Sequence, residues 1–420
     1  MIKIIRAHYS LLSATAILLL GSGLLGTLVA LRAESEAFPR VIIGMIMSGF
    51  FMGYVIGSYL CPKVIRTYGH IRSFSIFAAT GCVTVLLHGL IVEPVVWLVL
   101  RVITGICMLG MYLVIESWLN SVATSKSRGS LFSVYMAINL LALACSQYLI
   151  LIYDIDTLAP FVLIALFFSL ALLPIATTFI EQPEKVEKGH LGLKHLYDTS
   201  PLASFGALFS GMISGAFWGM GPIYAVSTGF DVAGVTLFMS GVILGGSMLQ
   251  WPLGHLSDKY ERRLVIVAVS FMASLAAITV FYMMESSQVA GLLAVFIFGG
   301  CAFSIYPLCV AHANDNVDAT HVLEISRGLL LLSGIGSTIG PLTAGILMGW
   351  FGAQALMFYF TVLMLLLATY ALMRRTIGAP IDVSEQGDFV VMARSSPAVL
   401  ELDPRTEADD EVSSSSTDAK

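Results

Sequence analysis

Twelve apolar stretches, each long enough to cross a lipid bilayer, fill almost the whole chain from Leu11 to Arg375. A membrane-spanning helix needs about 20 mostly apolar residues, because the hydrocarbon layer is roughly 30 Å thick. The composition agrees, with 57% hydrophobic and 12% charged residues and a mean hydropathy of +0.87. A large soluble helical protein is the alternative, but soluble domains carry roughly 25% charged residues. We therefore expect an all-α polytopic membrane protein with twelve transmembrane helices.

One polar break, around residues 181–198, divides these stretches into six plus six. The first six are Leu11–Leu31, Val41–Leu60, Phe74–Leu90, Val95–Ile115, Leu131–Tyr153 and Ala159–Ile180. The second six are Leu202–Val226, Val232–Leu253, Leu264–Met283, Val289–Ala311, Gly328–Trp350 and Ala355–Met373. We expect an N-terminal six-helix bundle at residues 1–180, a linker at 181–200 and a C-terminal six-helix bundle at 201–375.

The last segment, residues 376–420, carries ten acidic and three basic residues, a net charge of −7. Such a charged, weakly hydrophobic segment cannot bury enough apolar surface to order itself. We expect an acidic, disordered, solvated tail, in which residues 389–392 are the only part with the capacity to dock.

The basic residues predict the orientation of the helices in the membrane. If the loops alternate between the two sides, nineteen of the 22 Lys and Arg residues fall on one side. Only Arg32 and Arg40 fall on the other side, and Arg101 lies within the fourth helix. Because loops rich in Lys and Arg stay in the cytoplasm, we expect both termini and the linker to be cytoplasmic.

The two halves also repeat short motifs at matching places. The offsets are 197 residues from Cys61 to Asp258, 199 from Arg128 to Arg327 and 194 from Tyr112 to Tyr306. Parallel repeats related by an axis along the membrane normal occur in transporters whose substrate site lies near the midplane, between the halves.

Several motifs then resemble those of the major facilitator superfamily. They are Gly254-x-x-Ser-Asp258-Lys259-x-x-Arg262-Arg263 after helix 8, Arg101-x-x-x-Gly105 in helix 4, and Gly336-Ser-Thr-Ile-Gly340-Pro341 in helix 11. Further segments resemble the bacterial YcaD-like branch of that superfamily. They are Glu116-Ser-Trp-Leu-Asn120, residues 245–258 and Ala311-His-Ala-Asn-Asp315.

The resemblance implies the major facilitator fold and a multi-pass permease of the bacterial inner membrane. It implies a secondary active transporter that moves a small organic solute by alternating access, coupled to protons, and we expect it to act as a monomer. The alternative is a transport-dead sensor or scaffold that keeps this fold and signals through its acidic tail. Within transport, export and uptake of the solute both stay open, and so does the identity of the substrate.

The resemblance also implies a cytoplasmic gate after helix 8. Asp258 is expected to accept hydrogen bonds from the first amides of helix 11, near Arg327, in the outward-facing state. Gly254, Lys259, Arg262 and Arg263 accompany it at the spacing of the motif. Because Cys61 replaces the carboxylate in the first half, we expect the gate to be asymmetric. An exposed loop carboxylate is the alternative interpretation of Asp258.

Arg101 and Glu116 are charged residues within helix 4. Arg101 lies roughly 9 Å inside one boundary of the helix, where a charge is costly and usually faces a cavity or a partner. We expect it to bind substrate or couple to a proton; the alternative is that it snorkels to the interface. Glu116 is a candidate for proton coupling, or for structural pairing with Lys126, Arg128 or the amides that open helix 5.

By resemblance, helices 1, 4, 7 and 10 line the cavity. Their candidate residues for substrate contact are Thr104, Met108, Tyr112, Trp218, Tyr224 and Tyr306, with Gly23, Gly26, Thr27, Gly219, Phe303 and Ser304 beside them. These residues suit a moderately apolar or neutral-polar ligand, although packing would explain aromatic residues equally well. A cytoplasmic polar cluster at the end of helix 10 is expected to cap or gate: His312, Asn314 and Asp315.

Other chemistries find no support in the sequence. No phosphate-cradling loop is present, which argues against ATP-driven transport, and the six cysteines lack the spacing of a metal site. We therefore expect no enzymatic activity, no cofactor, no metal and no nucleic-acid partner. The expected partners are the bilayer, a small-molecule substrate and protons.

Overall fold

The computed structural model describes residues 8–124, 127–178, 196–197, 199–284, 286–317, 321–377, 383, 386–387, 389–390 and 395–402. Twelve long helices are apolar enough to cross a membrane. The first six are α1 (Tyr9–Ser35), α2 (Arg40–Tyr68), α3 (His70–Leu90), α4 (Pro94–Val122), α5 (Arg128–Tyr148) and α6 (Ala159–Ala176). The second six are α7 (Pro201–Ser227), α8 (Val232–Lys259), α9 (Arg262–Met283), α10 (Gln288–Asn314), α11 (Val322–Phe351) and α12 (Ala355–Ile377). Short 3₁₀ helices occupy Leu149–Leu151 and Pro397–Leu402.

Local chemistry explains several of the helix ends. The Glu93 carboxylate accepts a hydrogen bond from the Val96 amide at 2.8 Å and caps the start of α4. The Asp231 carboxylate caps α8 in the same way through the Gly234 amide, at 2.8 Å. Helix α2 ends at Gly69, whose φ of 79° favours glycine. These features mark the end of α2 and the starts of α4 and α8.

Several helix ends differ from the sequence prediction, among them those of α11 and α5. Helix α11 begins at Val322, six residues before the predicted Gly328, so the amide of Arg327 lies in the second turn instead of at the helix start. Helix α5 ends at Tyr148 and continues as a 3₁₀ turn, whereas the prediction extended it to Tyr153. The predicted linker, residues 181–200, falls mostly outside the described residues.

Within the second half, α7 and α11 pack backbone against backbone. A Cβ atom built on Gly211 would lie 2.1 Å from the Ser333 carbonyl oxygen, and one on Gly340 would lie 2.1 Å from the Met212 carbonyl oxygen. The Gly211-x-x-x-Gly215 segment of α7 therefore faces the Gly336-x-x-x-Gly340 segment of α11. Small residues permit this close approach. They join two helices of the same half into a tightly packed pair.

The helices define two ends of the molecule. We call the end that holds the start of α1 and the end of α12 the terminal face, and the other end the opposite face. At the opposite face the halves meet closely. The Arg40 guanidinium donates to the Met348 carbonyl at 3.2 Å, and a Cβ on Gly44 would lie 2.5 Å from the Pro341 carbonyl oxygen. These contacts between α2 and α11 seal the opposite face.

Candidate transport cavity

A cavity of about 640 Å³ lies between the two halves and reaches the terminal face. Eight helices line it, namely α1, α2, α4 and α5 from the first half and α7, α8, α10 and α11 from the second. Cavities of roughly 300–1,000 Å³ hold drug-sized ligands. The position and size therefore suit a small organic molecule bound between the halves.

Several residues expected from the sequence to contact substrate line this cavity. They are Arg101, Met108, Tyr112, Trp218, Phe303, Gly23 and Gly26. Aromatic and methionine side chains make up much of the wall, and with Arg101 they combine an apolar surface with a fixed charge.

Other expected residues lie elsewhere, which corrects their assignment to the cavity. The Thr104 hydroxyl bonds to the Leu100 carbonyl at 2.7 Å and to the Thr84 hydroxyl at 3.1 Å, between α3 and α4. Tyr224 and Tyr306 are fully buried and are not part of the cavity wall. Tyr224 follows Trp218 by six residues, about 240° round the helix, so it points into the core of its own half. Also outside the cavity wall are Thr27, Gly219 and Ser304.

Arg101 is 2% exposed and lies on the cavity wall. Its guanidinium carbon lies 4.5 Å from the centroid of the Phe50 ring, a cation–π geometry. Its Nε atom is buried without a hydrogen-bond partner, and no carboxylate pairs with it among the residues the structure describes. A guanidinium presents five N–H donors, so Arg101 offers unused donors at the cavity wall.

Glu116 is fully buried near the terminal-face end of α4 and does not line the cavity. Its carboxylate accepts hydrogen bonds from three hydroxyls, those of Tyr135 on α5 and of Ser395 and Ser396 in the C-terminal segment. Among the described residues, the expected pairing with Arg128 or with the amides that open α5 is not made; Lys126 lies outside the described residues. A buried carboxylate requires such partners.

The predicted gate residues form an ion-pair network at the terminal face. The Arg262 guanidinium donates to both carboxylate oxygens of Asp315, at 2.9 and 2.8 Å, and to the Asp258 carboxylate at 3.2 Å. The Phe389 amide also donates to Asp258, at 2.9 Å. Asp258 therefore contacts α9 and the C-terminal segment here, and the expected contact with the first amides of α11 is not made.

The other gate residues surround this network. The Arg263 guanidinium donates to the Arg374 carbonyl at 3.1 Å, which ties α9 to the end of α12. Lys259 is exposed, Arg327 lines the cavity, and Gly254 lies directly beneath the Phe389 ring. In the polar cluster of α10, Asp315 joins the ion pairs, while the His312 and Asn314 side chains lie apart from the cavity wall.

The C-terminal segment differs from the solvated tail that its composition predicts. Ala398, Val399 and Leu400 are 4%, 2% and 1% exposed, and the 3₁₀ helix Pro397–Leu402 contacts α4, α5 and α11. This short apolar run gives the acidic tail enough buried surface to dock. The remainder of residues 378–420 lies outside the described residues, apart from 383, 386–387, 389–390 and 395–396.

Sequence reasoning missed the contribution of α2 to the cavity. Its lining residues are Met47, Phe50, Phe51, Tyr54, Val55, Ser58, Tyr59, Pro62, Lys63 and Arg66. The residues recur at intervals of three and four, the spacing of one helix face, so this periodicity was an available signal. Asn139 on α5 and Gln250 on α8 were also missed, and a single polar residue on an apolar helix gives a weaker signal.

The sequence matches the Major Facilitator Superfamily over residues 11–323 and 203–399. The chain belongs to this superfamily. It is 30% identical over 347 residues to an uncharacterized MFS-type transporter of Enterobacter sp. (strain 638), covering 80% of this chain and 88% of the relative. It is 29% identical over 343 residues to the uncharacterized MFS-type transporter YcaD of Escherichia coli O45:K1, again with 80% and 88% covered.

Solved structures of the superfamily share the fold. A mutant of the nucleoside transporter NupG superposes with a TM-score of 0.73 at 14% identity, covering 88% of this chain and all (100%) of that one. A bacterial homologue of the lysosomal transporter Spinster, inward-facing and occupied, gives 0.73 at 13% identity, covering 91% and 98%. A D-xylose–proton symporter gives 0.68 at 13% identity, covering 86% and 97%. This superfamily member is thus a multi-pass membrane protein with a transporter fold.

Proposed function

We propose that this protein is a secondary active transporter that moves a small organic solute by alternating access, coupled to protons. The supporting observation is the cavity of about 640 Å³ between the halves, which reaches one face and is sealed at the other. A binding site that opens to one side at a time is the structural requirement for alternating access.

The seal at the opposite face supports a rocking motion of the halves. It consists of contacts between α2 and α11 and of the Thr236 hydroxyl of α8 donating to the Gln147 carbonyl of α5 at 3.3 Å. Breaking these contacts would open the cavity to the opposite face. Closing the terminal face would then bring the Asp258 motif to the start of α11, and Gly254, Lys259, Arg262, Arg263 and Arg327 would take part in that gate.

We also infer the orientation of the protein in the membrane and its oligomeric state. Ten of the thirteen described Lys and Arg residues lie at the terminal face, and by the positive-inside rule this supports a cytoplasmic location of that face and of both termini. The structure then corresponds to the inward-facing state. The cavity is built within one chain, which supports a monomer as the transporting unit.

Glu116 is our candidate for proton coupling. It is a buried carboxylate on a cavity-lining helix, and each of its three described partners is a hydroxyl. Hydroxyls both donate and accept hydrogen bonds, so they can satisfy the carboxylate and the protonated carboxyl alike. Among the described residues, no basic side chain pairs with this carboxylate, and Arg101, Lys63 and Arg66 line the cavity instead.

The test is solute flux into proteoliposomes that hold the purified full-length protein, with and without a pH gradient. We expect uptake of at least one solute class, accelerated by the gradient, and Glu116→Gln should transport without responding to the gradient. Arg72→Ala, an exposed base on α3, is the matched control and should behave as wild type. Absence of protein-dependent flux for every solute class would favour the sensor or scaffold alternative.

A further inference from the structure

The charges on the cavity wall are all of one sign. The basic residues that line it are Lys63, Arg66, Arg101 and Arg327, and no described Asp or Glu lines it. We propose that the transported solute is an organic anion with an apolar body. This proposal rests on the proposed transport function and specifies its substrate class.

The described carboxylates near the cavity bind other groups. Asp258 and Asp315 bind Arg262, and Glu116 is held by three hydroxyls. Lys63 and Arg66 form no ion pair with any residue that the structure describes. Charges of one sign in a cleft with low-dielectric walls raise the local concentration of the opposite ion.

The bases are arranged from the mouth to the deep end of the cavity. Lys63 and Arg66 lie in the last turns of α2, at the terminal face, whereas Arg101 lies seven residues into α4 from the opposite face. That places its Cα atom about 10 Å along the helix axis from the start of α4. An anion entering at the terminal face would meet the mouth bases first and Arg101 last.

The deep end suits a carboxylate on an apolar group. Arg101 is only 2% exposed, and its guanidinium lies over the Phe50 ring. A guanidinium binds a carboxylate with two parallel hydrogen bonds. The cavity wall also carries Met47, Met108 and Trp218. A buried charge whose donors are unused is costly, and an anionic ligand would relieve that cost.

Substrate class is tested by binding to the full-length protein in lipid nanodiscs. The probes are 3-phenylpropionate, 1-naphthoate and decanoate, each compared with its own primary amide and with the amine of the same carbon skeleton. We expect the carboxylates to bind about tenfold or more tightly than the amides, because charge-assisted hydrogen bonds form only with the anion. Arg101→Lys should retain part of this preference, Arg101→Ala should abolish it, and Arg72→Ala should keep it.

The possible results distinguish a failure of the anion site from a failure of the transport function. Preference for amides or amines, no binding of any carboxylate, or an unchanged preference in Arg101→Ala overturns the anion site. If amides or amines are carried across proteoliposomes, the transport function stands and the substrate class is wrong. If carboxylates bind in an Arg101-dependent way but none crosses, the anion site stands and the transport function is wrong.

A second inference concerns the C-terminal segment, defined by its described residues 386–387, 389–390 and 395–402 and called here the C-terminal strap. It touches both halves across the terminal face. On the first half, Ser395 and Ser396 donate to Glu116 of α4. On the second half, Phe389 donates to Asp258, and the Gly387 amide donates to Asp315 at 3.1 Å.

The strap also enters the cavity itself. Ser395, Ser396, Pro397 and Ala398 form part of the cavity wall. In alternating access the two halves must approach each other at this face, so a segment lodged between them opposes that closure. We infer that the C-terminal strap is an autoinhibitory element that holds the terminal face apart until it is released.

Docking of the strap is tested by cysteine labelling of Val399→Cys, at a 2% exposed site that is not part of the cavity wall. The full-length protein is used, in a background with the native cysteines replaced by serine. We expect labelling about tenfold or more slower in the folded protein than after unfolding in SDS, because the site is reached only by local opening. Leu400→Glu buries a charge at a 1% exposed site and should restore fast labelling. Val383→Glu, at a 40% exposed site that precedes the strap, should leave it slow.

The regulatory consequence has its own measurement. Met47→Cys on the cavity wall, labelled by a membrane-impermeant reagent from the opposite side, reports opening of the opposite face. We expect Leu400→Glu to raise this labelling several-fold and Val383→Glu to leave it unchanged. Fast labelling of Val399→Cys in the folded protein overturns docking, and release by Leu400→Glu without faster Met47→Cys labelling overturns autoinhibition.

Discussion

The Arg262 guanidinium donates to both carboxylate oxygens of Asp315, at 2.9 and 2.8 Å, with the two side chains 1% and 3% exposed. This pair joins the first turn of α9 to the end of α10 at the terminal face. The two halves of the repeat differ here, since the carboxylate of Asp258 that completes the network is replaced by Cys61 in the first half. The Cys61 thiol instead donates to the Ile106 carbonyl at 3.4 Å.

Removing one partner of the Arg262–Asp315 pair should destabilise the protein strongly. Loss of one member of a buried ion pair leaves an uncompensated charge and costs about 3–5 kcal/mol. We therefore expect Arg262→Ala to lower the thermal unfolding midpoint clearly in detergent. Arg375→Ala is the matched control, because Arg375 is 44% exposed in its pair with Glu261 and an exposed pair contributes about 0–1 kcal/mol. Equal midpoints for the two variants would contradict the structural role of the pair.

Asp258 and Cys61 should respond differently to substitution. Asp258→Asn keeps an oxygen that can accept the Phe389 amide but loses the charge that the proposed gate requires. We expect this variant to fold and insert, to populate inward-facing states more and to transport more slowly, while Cys61→Ala has little effect. Labelling of Met47→Cys from the opposite side should fall only with Asp258→Asn. A similar fall in both variants would show that the gate is symmetric.

The sequence predicts the twelve crossings well because length and hydropathy are local properties of each helix. Which residues face the cavity depends on the rotation of each helix, and that is set by packing against its neighbours. Trp218 and Tyr224 are both aromatic and lie on the same helix, yet Trp218 lines the cavity and Tyr224 lies in the core.

Docking of the C-terminal segment could not be predicted from the sequence, because it depends on contacts between residues that are far apart along the chain. Ser396 and Glu116 are 280 residues apart, and the surrounding tail has the acidic composition of a solvated segment. The sequence around Glu116 does not predict that two of its hydroxyl donors come from the C-terminal segment. The start of α11 at Val322 was also missed. Residues 322–327 contain charges, and a prediction based on hydropathy alone excludes charged residues from a crossing.

The orientation of the protein can be tested with a reporter. A fusion after Arg375, the base in the last turn of α12, should be active only when the reporter works in the cytoplasm. The same reporter inserted after Tyr153, in the loop that follows α5 at the opposite face, should behave as periplasmic. Periplasmic activity of the fusion after Arg375 would reverse the assignment of the two faces.

The seal at the opposite face should weaken when Gly44 gains a side chain. A Cβ there would lie 2.5 Å from the Pro341 carbonyl oxygen and 3.2 Å from the Gly345 Cα atom, so α2 and α11 must separate to accept it. Overpacking costs about 1–3 kcal/mol, and a cost confined to one state shifts the equilibrium against that state by about 5- to 150-fold. We therefore expect Gly44→Leu to increase labelling of Met47→Cys from the opposite side. Gly129→Leu is the control, because a Cβ on Gly129 meets nothing within 4 Å. Unchanged labelling in Gly44→Leu, with normal insertion, would show that the contact between α2 and α11 does not control access from the opposite face.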